Sequence, residues 1–350
     1  MSRVLAPLAL CFRAGVALRA EAYRRRWLKT ERLSRPVVSV GNLSAGGTGK
    51  TPLVELIARV FLRHGLKPAI LTRGYGRLGG RETVVLRPQS GRAGDPRTIG
   101  DEPAMLARAL PEVPMVVGSS RLAAGRIAER EFDVDVHILD DGFQHWALAR
   151  DLDIVTVDST ASLSANALLP AGSLREPPAA LARAGMIVLT RTDQCGDLRI
   201  ETEVRRYAPQ APVFHGMTKL EGLIEARTGA ASELGGWEGQ SVFAFCGVGN
   251  GAAFFEDLKR WGFRLAGEKS WRDHHRYSAE EIQALCSRAE RWGAAALVTT
   301  EKDWMNFPKF APGRANGLPL LVCRIRAELA EPAEFEQTLM TALGERRALA

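Results

Sequence analysis

An α/β fold is what the sequence predicts: a mostly parallel sheet with helices on both faces, then a second, smaller α/β unit joined by a flexible linker. Three observations carry it. Short runs of Val, Ile and Leu without polar alternation recur between helix-length stretches, as strands buried on both faces should. A glycine-rich turn directly follows the first of these runs. Between about 216 and 240 the pattern loosens into Gly, Ala, Ser and Glu, then restarts as a second α/β set. A chain of 350 residues has room for two cores.

The first element is a basic segment. Residues 1–30 carry Arg3, Arg13, Arg19, Arg24, Arg25, Arg26 and Lys29 against Glu21 alone, a local charge of +6 in a chain whose total is +7. On a helix, Leu5, Leu8, Phe12, Val16, Tyr23 and Trp27 fall within a sector about 100° wide. Arg19 and Arg26 intrude on it, which suits side chains reaching for lipid headgroups better than a dry core. An amphipathic helix lying in a membrane interface is expected; a helix packed on the globular body is the alternative. Arg13 and Arg19 interrupt an apolar stretch already too short to span a bilayer. The basic cluster follows that stretch instead of preceding it, unlike a signal peptide. No nucleic-acid partner is expected, because the basic excess sits in one segment and not on a broad face. The five cysteines are scattered, odd in number and without Cys-x-x-Cys spacing, which favours reduced thiols over disulfides or zinc.

Residues 31–215 form the first α/β core, with strands expected at 36–40, 68–72, 83–86, 115–118, 134–139, 153–157 and 186–190. A linker is expected at 216–240. In the second unit, 241–350, strands are expected at 241–246, 295–299 and 318–323, with helices at 252–261, 279–292 and 332–343.

The turn after the first strand reads Gly41-Asn42-Leu43-Ser44-Ala45-Gly46-Gly47-Thr48-Gly49-Lys50-Thr51. Glycines let successive backbone N–H groups face inward around phosphate oxygens, Lys50 reaches the outer phosphates, and the Thr51 hydroxyl takes a magnesium ion. Ser44, Ala45, Gly46, Gly47, Thr48, Gly49, Lys50 and Thr51 are thus the expected nucleotide-binding residues of a P-loop NTPase-like sheet. Ser44 stands where the strict pattern has glycine. The strand before the loop and the helix-compatible stretch after it, with Pro52 suited to a first turn, restore the reading.

A second element of such a site is an apolar strand ending in aspartate. Val134 to Leu139 runs into Asp140-Asp141-Gly142-Phe143-Gln144-His145. Adjacent carboxylates repel unless a cation lies near them, so metal binding is expected, a solvated Asp-Asp-Gly turn being the alternative. Arg73-Gly74-Tyr75-Gly76 ends another strand with a cation suited to an anion. Asp101 and Glu102 precede a helix, where acids are also found simply because the dipole favours them. Arg175-Glu176-Pro177-Pro178 places opposite charges in a rigid loop, which is equally a surface ion pair. Asp273-His274-His275 and Thr300-Glu301-Lys302-Asp303 complete the polar segments.

These blocks, in this order and along the whole chain, resemble the tetraacyldisaccharide 4′-kinases, the lipid A 4′-kinases, which themselves relax the first loop glycine. Trp271, where Phe is more usual, and Trp304-Met305-Asn306 depart from the family pattern without touching the expected chemistry. The resemblance implies transfer of the γ-phosphate of ATP to the 4′-hydroxyl of a tetraacylated glucosamine disaccharide 1-phosphate, giving lipid IVA. It also implies a basic N-terminal helix on the cytoplasmic face of the bacterial inner membrane, and a monomeric enzyme is expected. By the same resemblance Asp101 is the base, with His274 as its partner across the cleft. Lys50 and Arg175 offset charge, and Thr51, Asp140, Asp141 and Glu176 hold Mg2+. Arg73, Tyr75, Glu102, Gln144 and His145 meet the lipid substrate.

Two switch-type alternatives fit less well. A membrane-tethered partitioning ATPase carries a lysine where Ala45 stands. A guanine-reading Asn-Lys-x-Asp is replaced by Thr190-Arg191-Thr192-Asp193.

Overall fold

The structure is a computed structural model, and it describes residues 2–78, 82–88, 94–195, 199–307, 314–315 and 317–347. The first part of the chain runs α1 (Ser2–Arg24), β1 (Val37–Asn42), α2 (Lys50–Arg63), β2 (Pro68–Thr72), β3 (Val84–Leu86), α3 (Pro96–Ile99), α4 (Asp101–Ala109), β4 (Met115–Val117), α5 (Arg121–Glu131), β5 (Val136–Asp140), β6 (Leu152–Asp158), β7 (Met186–Thr190) and α6 (Arg199–Tyr207). Then follow β8 (Val213–Glu225), β9 (Ala231–Ser232), β10 (Ser241–Cys246), α7 (Gly251–Arg260), β11 (Arg264–Ser270), α8 (Ala279–Arg291), β12 (Ala296–Thr300), α9 (Glu301–Met305), β13 (Arg314–Ala315), β14 (Leu318–Leu329) and α10 (Pro332–Arg347).

The strands form one continuous sheet in the order β11-β10-β12-β14-β8-β7-β6-β1-β5-β2-β4-β3. Pairing is parallel from β8 through β4 and again from β11 through β14. β1, β2, β4 and β5 are buried along their whole length, which explains their unbroken apolar composition. One face of the first half packs Leu53, Ile57 and Phe61 of α2 on Val38, Ile70 and Ile138, and the other packs Ala124 and Ala128 of α5 on Leu71 and Leu139.

Residues 216–225, expected in a loose linker, are strand. β8 starts parallel to β7 at Val213–His215, and from Gly216 onward it runs antiparallel to β14. Its apolar residues, Met217, Leu220, Leu223 and Ile224, are unevenly spaced among Gly, Thr, Lys and Glu, and the pairing with β14 shifts register between Arg324 and Ile325, so the periodicity is weak. β14 likewise continues to Leu329, past the expected end at 323. Helix α10 then returns to the first half: Phe335, Leu339 and Leu343 join its core, and Phe335 meets Phe214 edge-on at 5.2 Å. The two halves are therefore connected by the β8–β14 ribbon and by a helix that crosses back.

Helix α1 stops earlier than its expected apolar sector. Arg26 adopts a left-handed backbone (φ 60°), Trp27 N–H bonds Ala22 O at 2.8 Å, and Arg26 N–H bonds Tyr23 O at 3.0 Å. That is a Schellman-type stop, and it removes Trp27 from the helix. The helix touches the body near its C-terminal end, where Tyr23 stacks on Trp146 at 5.9 Å and Arg19 donates to Gln144 O at 3.2 Å. Leu8, Leu10 and Leu18 are 57–65% exposed. Among the described residues no helix is long and apolar enough to cross a membrane.

Candidate active site

The glycine-rich turn joins β1 to α2 as expected. Gly46 (φ 124°) and Gly49 (φ 76°) take backbone angles that side chains resist, and no side chain caps α2. The helix therefore presents its first N–H groups and its positive dipole end to the loop. Lys50 and Thr51 occupy its first turn. The loop is held from behind. Thr48, buried, accepts from Asn42 Nδ2 and pairs with Thr156 Oγ1, both at 2.8 Å, so its side chain faces inward. Ala45 N–H bonds Ser173 O at 2.7 Å, Ser44 pairs with Leu174, and Arg191 Nη2 donates to Gly47 O at 2.9 Å.

Asp140 closes β5 beside β1 and is buried. Its Oδ2 accepts from Thr72 Oγ1 at 2.9 Å, while Oδ1 has no hydrogen-bond partner. Burial, with the Glu102 and Asp141 charges, pushes its pKa up to about 7. Asp141 goes the other way. Burial would raise it, but Lys50 (Nζ at 3.6 Å) and Arg175, whose Nη1 reaches both carboxylate oxygens at 2.8 Å, hold it below the usual range. Glu176, the remaining candidate metal ligand, is buried and paired with Arg183 at 2.9 Å. The Arg183 guanidinium lies 4.3 Å from the ring centres of Phe143 and Trp146. Among the described residues no three His, Cys, Asp or Glu side chains gather closely enough to hold a metal alone.

Across the cleft, Asp101 begins α4 and is 3% exposed. Its Oδ2 meets His274 Nδ1 at 2.9 Å, although the two lie 173 residues apart. Asn306 Nδ2 donates to the same oxygen at 3.2 Å, and Oδ1 accepts from Glu102 N–H at 3.0 Å. Burial alone would raise the Asp101 pKa; the His274 bond, Lys302 and Asn306 outweigh it and hold the carboxyl below its usual range. The Asp101 bond in turn raises His274. The contact thus favours the anion of Asp101 and the protonated form of His274 together. His274 has φ 60°, and Asp141 and Arg191 are also left-handed, so the described non-glycine positive-φ residues concentrate at this site.

The expected substrate residues are spread around this centre. The exposed Tyr75 ring lies 5.1 Å from His274, and Arg73 is exposed just past β2. Glu102 accepts from Lys302 Nζ at 3.0 Å, and Gln144 Nε2 donates to Asn42 O at 2.9 Å. His145 is pushed down to about 4 by burial and by Arg121, Arg150, Arg19 and Arg73, so it is neutral at pH 7. Arg121, which the sequence reading passed over, is 5% exposed at the start of α5, bonds Ser119 O at 3.0 Å and leaves Nε unpartnered. Its position just after a strand end is the signal that could have found it.

A cavity of about 990 Å³ opens beside the loop, lined by Lys50 and Thr51 on one wall and by Phe254, Trp261, Asp273 and Lys302 on the other. A second cavity of about 790 Å³ adjoins Asp101 and His274 and includes Tyr75, Arg97, Arg276 and Phe307.

The model of the tetraacyldisaccharide-1-P 4′-kinase family matches residues 1–344. The tetraacyldisaccharide 4′-kinase of Desulfotalea psychrophila is 35% identical over 339 residues, covering 95% of this chain and 94% of that one. That of Anaeromyxobacter dehalogenans is 39% identical over 337 residues, covering 94% and 88%. The crystal structure of the "apo" form of LpxK from Aquifex aeolicus in complex with ATP superposes with a TM-score of 0.74 at 27% identity, covering 98% of this chain and 99% of that one. With a P-loop-type strand, turn and helix, an acidic strand end and a full-length match, the chain belongs to the tetraacyldisaccharide 4′-kinase family, kinases that phosphorylate a lipid A precursor at its 4′ position.

Proposed function

We propose that this enzyme transfers the γ-phosphate of ATP to the 4′-hydroxyl of tetraacyldisaccharide 1-phosphate, giving lipid IVA, with Asp101 as base. The contact of Asp101 with His274 across the cleft supports this reading most directly. Phosphoryl transfer needs positioning and charge neutralisation more than covalent chemistry. The loop N–H groups and Lys50 hold the outer phosphates, and Arg175 offsets charge on the group in transfer. Asp101 takes the proton of the attacking alcohol. A carboxylate held this acidic is a weak base by itself, so His274 orients it and relays the proton onward. Arg73, Tyr75, Gln144 and His145 face the disaccharide, and the apolar wall at Phe254 and Trp261 receives the adenine.

The donor set fits a hard divalent cation. Thr51, Asp140 and Asp141 supply oxygens, and Asp140 Oδ1 is a buried acceptor with nothing bonded to it. These oxygens would hold Mg2+, which would supply charge neutralisation at the phosphates. Glu176 contributes through the Arg175–Glu176 loop that positions Arg175. The β8–β14 ribbon joins the halves that carry Asp101 and His274, and it serves as the hinge about which the cleft opens for substrate and closes to this contact.

The lipid explains the N-terminus. Withdrawing acyl chains from a bilayer costs about 0.8 kcal/mol per CH₂, so the enzyme meets its substrate at the membrane. The exposed leucines of α1 and the +6 charge of residues 1–30 suit an anionic surface, here the cytoplasmic face of the inner membrane, approached by a monomer.

Radiolabelled ATP with the purified disaccharide lipid tests the reaction, and a bis-phosphorylated product is expected. Asp101→Ala and His274→Ala each cut turnover by roughly 10²–10⁴ with ATP binding retained; near-normal turnover removes the dyad. Deleting residues 2–24 weakens binding to anionic vesicles more than to ATP, and unchanged vesicle binding refutes the membrane role.

A further inference from the structure

The short helix α9 sets Lys302 and Asn306 one turn apart, both toward the Asp101–His274 contact. Lys302 Nζ donates to Glu102 Oε1 at 3.0 Å and to Asp273 Oδ1 at 2.9 Å. Glu102 adjoins Asp101 in the chain, and Asp273 adjoins His274. Asn306 Nδ2 donates to Asp101 Oδ2 and also to Lys302 O at 3.3 Å. The two members of the dyad are thus joined once directly and a second time through α9.

The helix is itself firmly held. Thr300 caps it by accepting from Asp303 N–H at 3.1 Å, and Asp303 accepts from Gly247 N–H at 2.6 Å and Tyr277 Oη at 2.8 Å. Trp304 and Met305 pack into the core of the first half. A largely buried ammonium between two carboxylates keeps its charge; taking it away leaves Glu102 and Asp273 without the cation they share across the cleft.

We infer that Lys302 and Asn306 are positioning residues that brace the dyad, holding the Asp101 carboxylate against His274 across the two halves. The inference rests on the dyad reading above. Facing Asp101 are His274 and Asp273 from the loop before α8, Lys302 and Asn306 from α9, and Glu102 from its own helix. Arg97 and Arg276 line the cavity beside it. Lys302 favours the anion of Asp101 and disfavours the imidazolium of His274, so its loss moves both groups upward in pKa.

The test compares Lys302→Met, Lys302→Arg and Asn306→Leu in the full chain, by kcat, KM for ATP and the pH dependence of kcat/KM. Lys302→Met lowers kcat roughly 10- to 100-fold, and the acid limb moves to higher pH. Lys302→Arg returns the limb toward its original place. Asn306→Leu, which carries no charge change and keeps the fold if Lys302→Met does not, lowers kcat with a smaller limb shift. Wild-type kcat with an unmoved limb in Lys302→Met or in Asn306→Leu overturns the brace. So does an equal loss in Lys302→Met and Lys302→Arg with an unmoved limb, which marks a merely structural lysine. Asp101→Ala separates the two levels: if it keeps normal turnover the dyad reading fails, whereas if it is inactive and Lys302→Met is normal only the brace fails.

Discussion

Two glycine-rich turns in this protein lead from a buried parallel strand into a helix, and they touch. One runs from β1 to α2 through Gly46, Gly47 and Gly49; the other runs from β10 to α7 through Gly247 and Gly249. Each has an acid at or just past the end of the adjacent parallel strand, Asp140 closing β5 and Asp303 in α9 after β12. The first leaves its groups available: α2 has no side-chain cap, and Asp140 Oδ1 is unpartnered. The second engages them. Asn250 caps α7 by accepting from Ala253 N–H at 3.1 Å, and both Asp303 oxygens are bonded, Oδ2 to Thr300 Oγ1 at 2.6 Å. A strand–turn–helix thus becomes an anion site when its polar groups are left unsatisfied by the protein and a cation begins the helix. When they are satisfied internally, it serves as a packing surface.

The largest expected effect separates the two turns outright. Lys50→Ala removes the cation of the first and lowers turnover roughly 10³-fold while weakening ATP binding, measured by steady-state kinetics and calorimetry. A loss under tenfold breaks the assignment of the first turn as the phosphate cradle. Next comes their contact. A Cβ on Gly249 would sit 2.1 Å from Gly47 N, so Gly249→Ala pushes the turns apart. The overpacking costs about 1–3 kcal/mol, seen as a raised KM for ATP; an unchanged KM means the second turn does not support the first.

The pH dependence of stability sharpens the contrast at the acids. Asp140 has its folded pKa raised from 3.8 to about 7, so between those values the folded state keeps a proton that the unfolded chain has released. The Asp140 contribution to the stability of the ligand-free protein therefore falls as pH rises from about 4 to 7. Asp140→Asn flattens that decline in urea unfolding, and an unaltered slope assigns it elsewhere. The smallest effect is on the second turn: Asn250→Ala costs about 1 kcal/mol of stability through its lost cap, read from chemical denaturation.

Much of the first half was legible because its strands are buried on both faces, so composition alone marks them. Val37–Val40, Ala69–Leu71 and Ile187–Leu189 contain little but apolar residues. The ribbon was not legible. Gly216, Lys219, Glu221 and Gly222 on β8 have no strand signature, and what makes them strand is β14, about 100 residues later. The same holds for β11, Arg264–Ser270, which reads as a polar stretch and pairs only on one side. Among site residues, the loop and the paired acids were found by local pattern. Arg121 and the links of Lys302 were missed because a lone arginine after a strand, or a lysine in a short helix, has no local pattern to mark it.

By itself the sequence determined the glycine-rich turn between strand and helix, the acidic strand end and the basic amphipathic start, because each is a short-range arrangement whose physics is complete within about a dozen residues. Tertiary structure alone decided that Asp101 meets His274, that Lys302 ties their neighbours together, and that α10 crosses back to the first core. Those contacts join residues far apart in the chain, and their energies depend on burial and on opposing charges that exist only once the sheet has assembled.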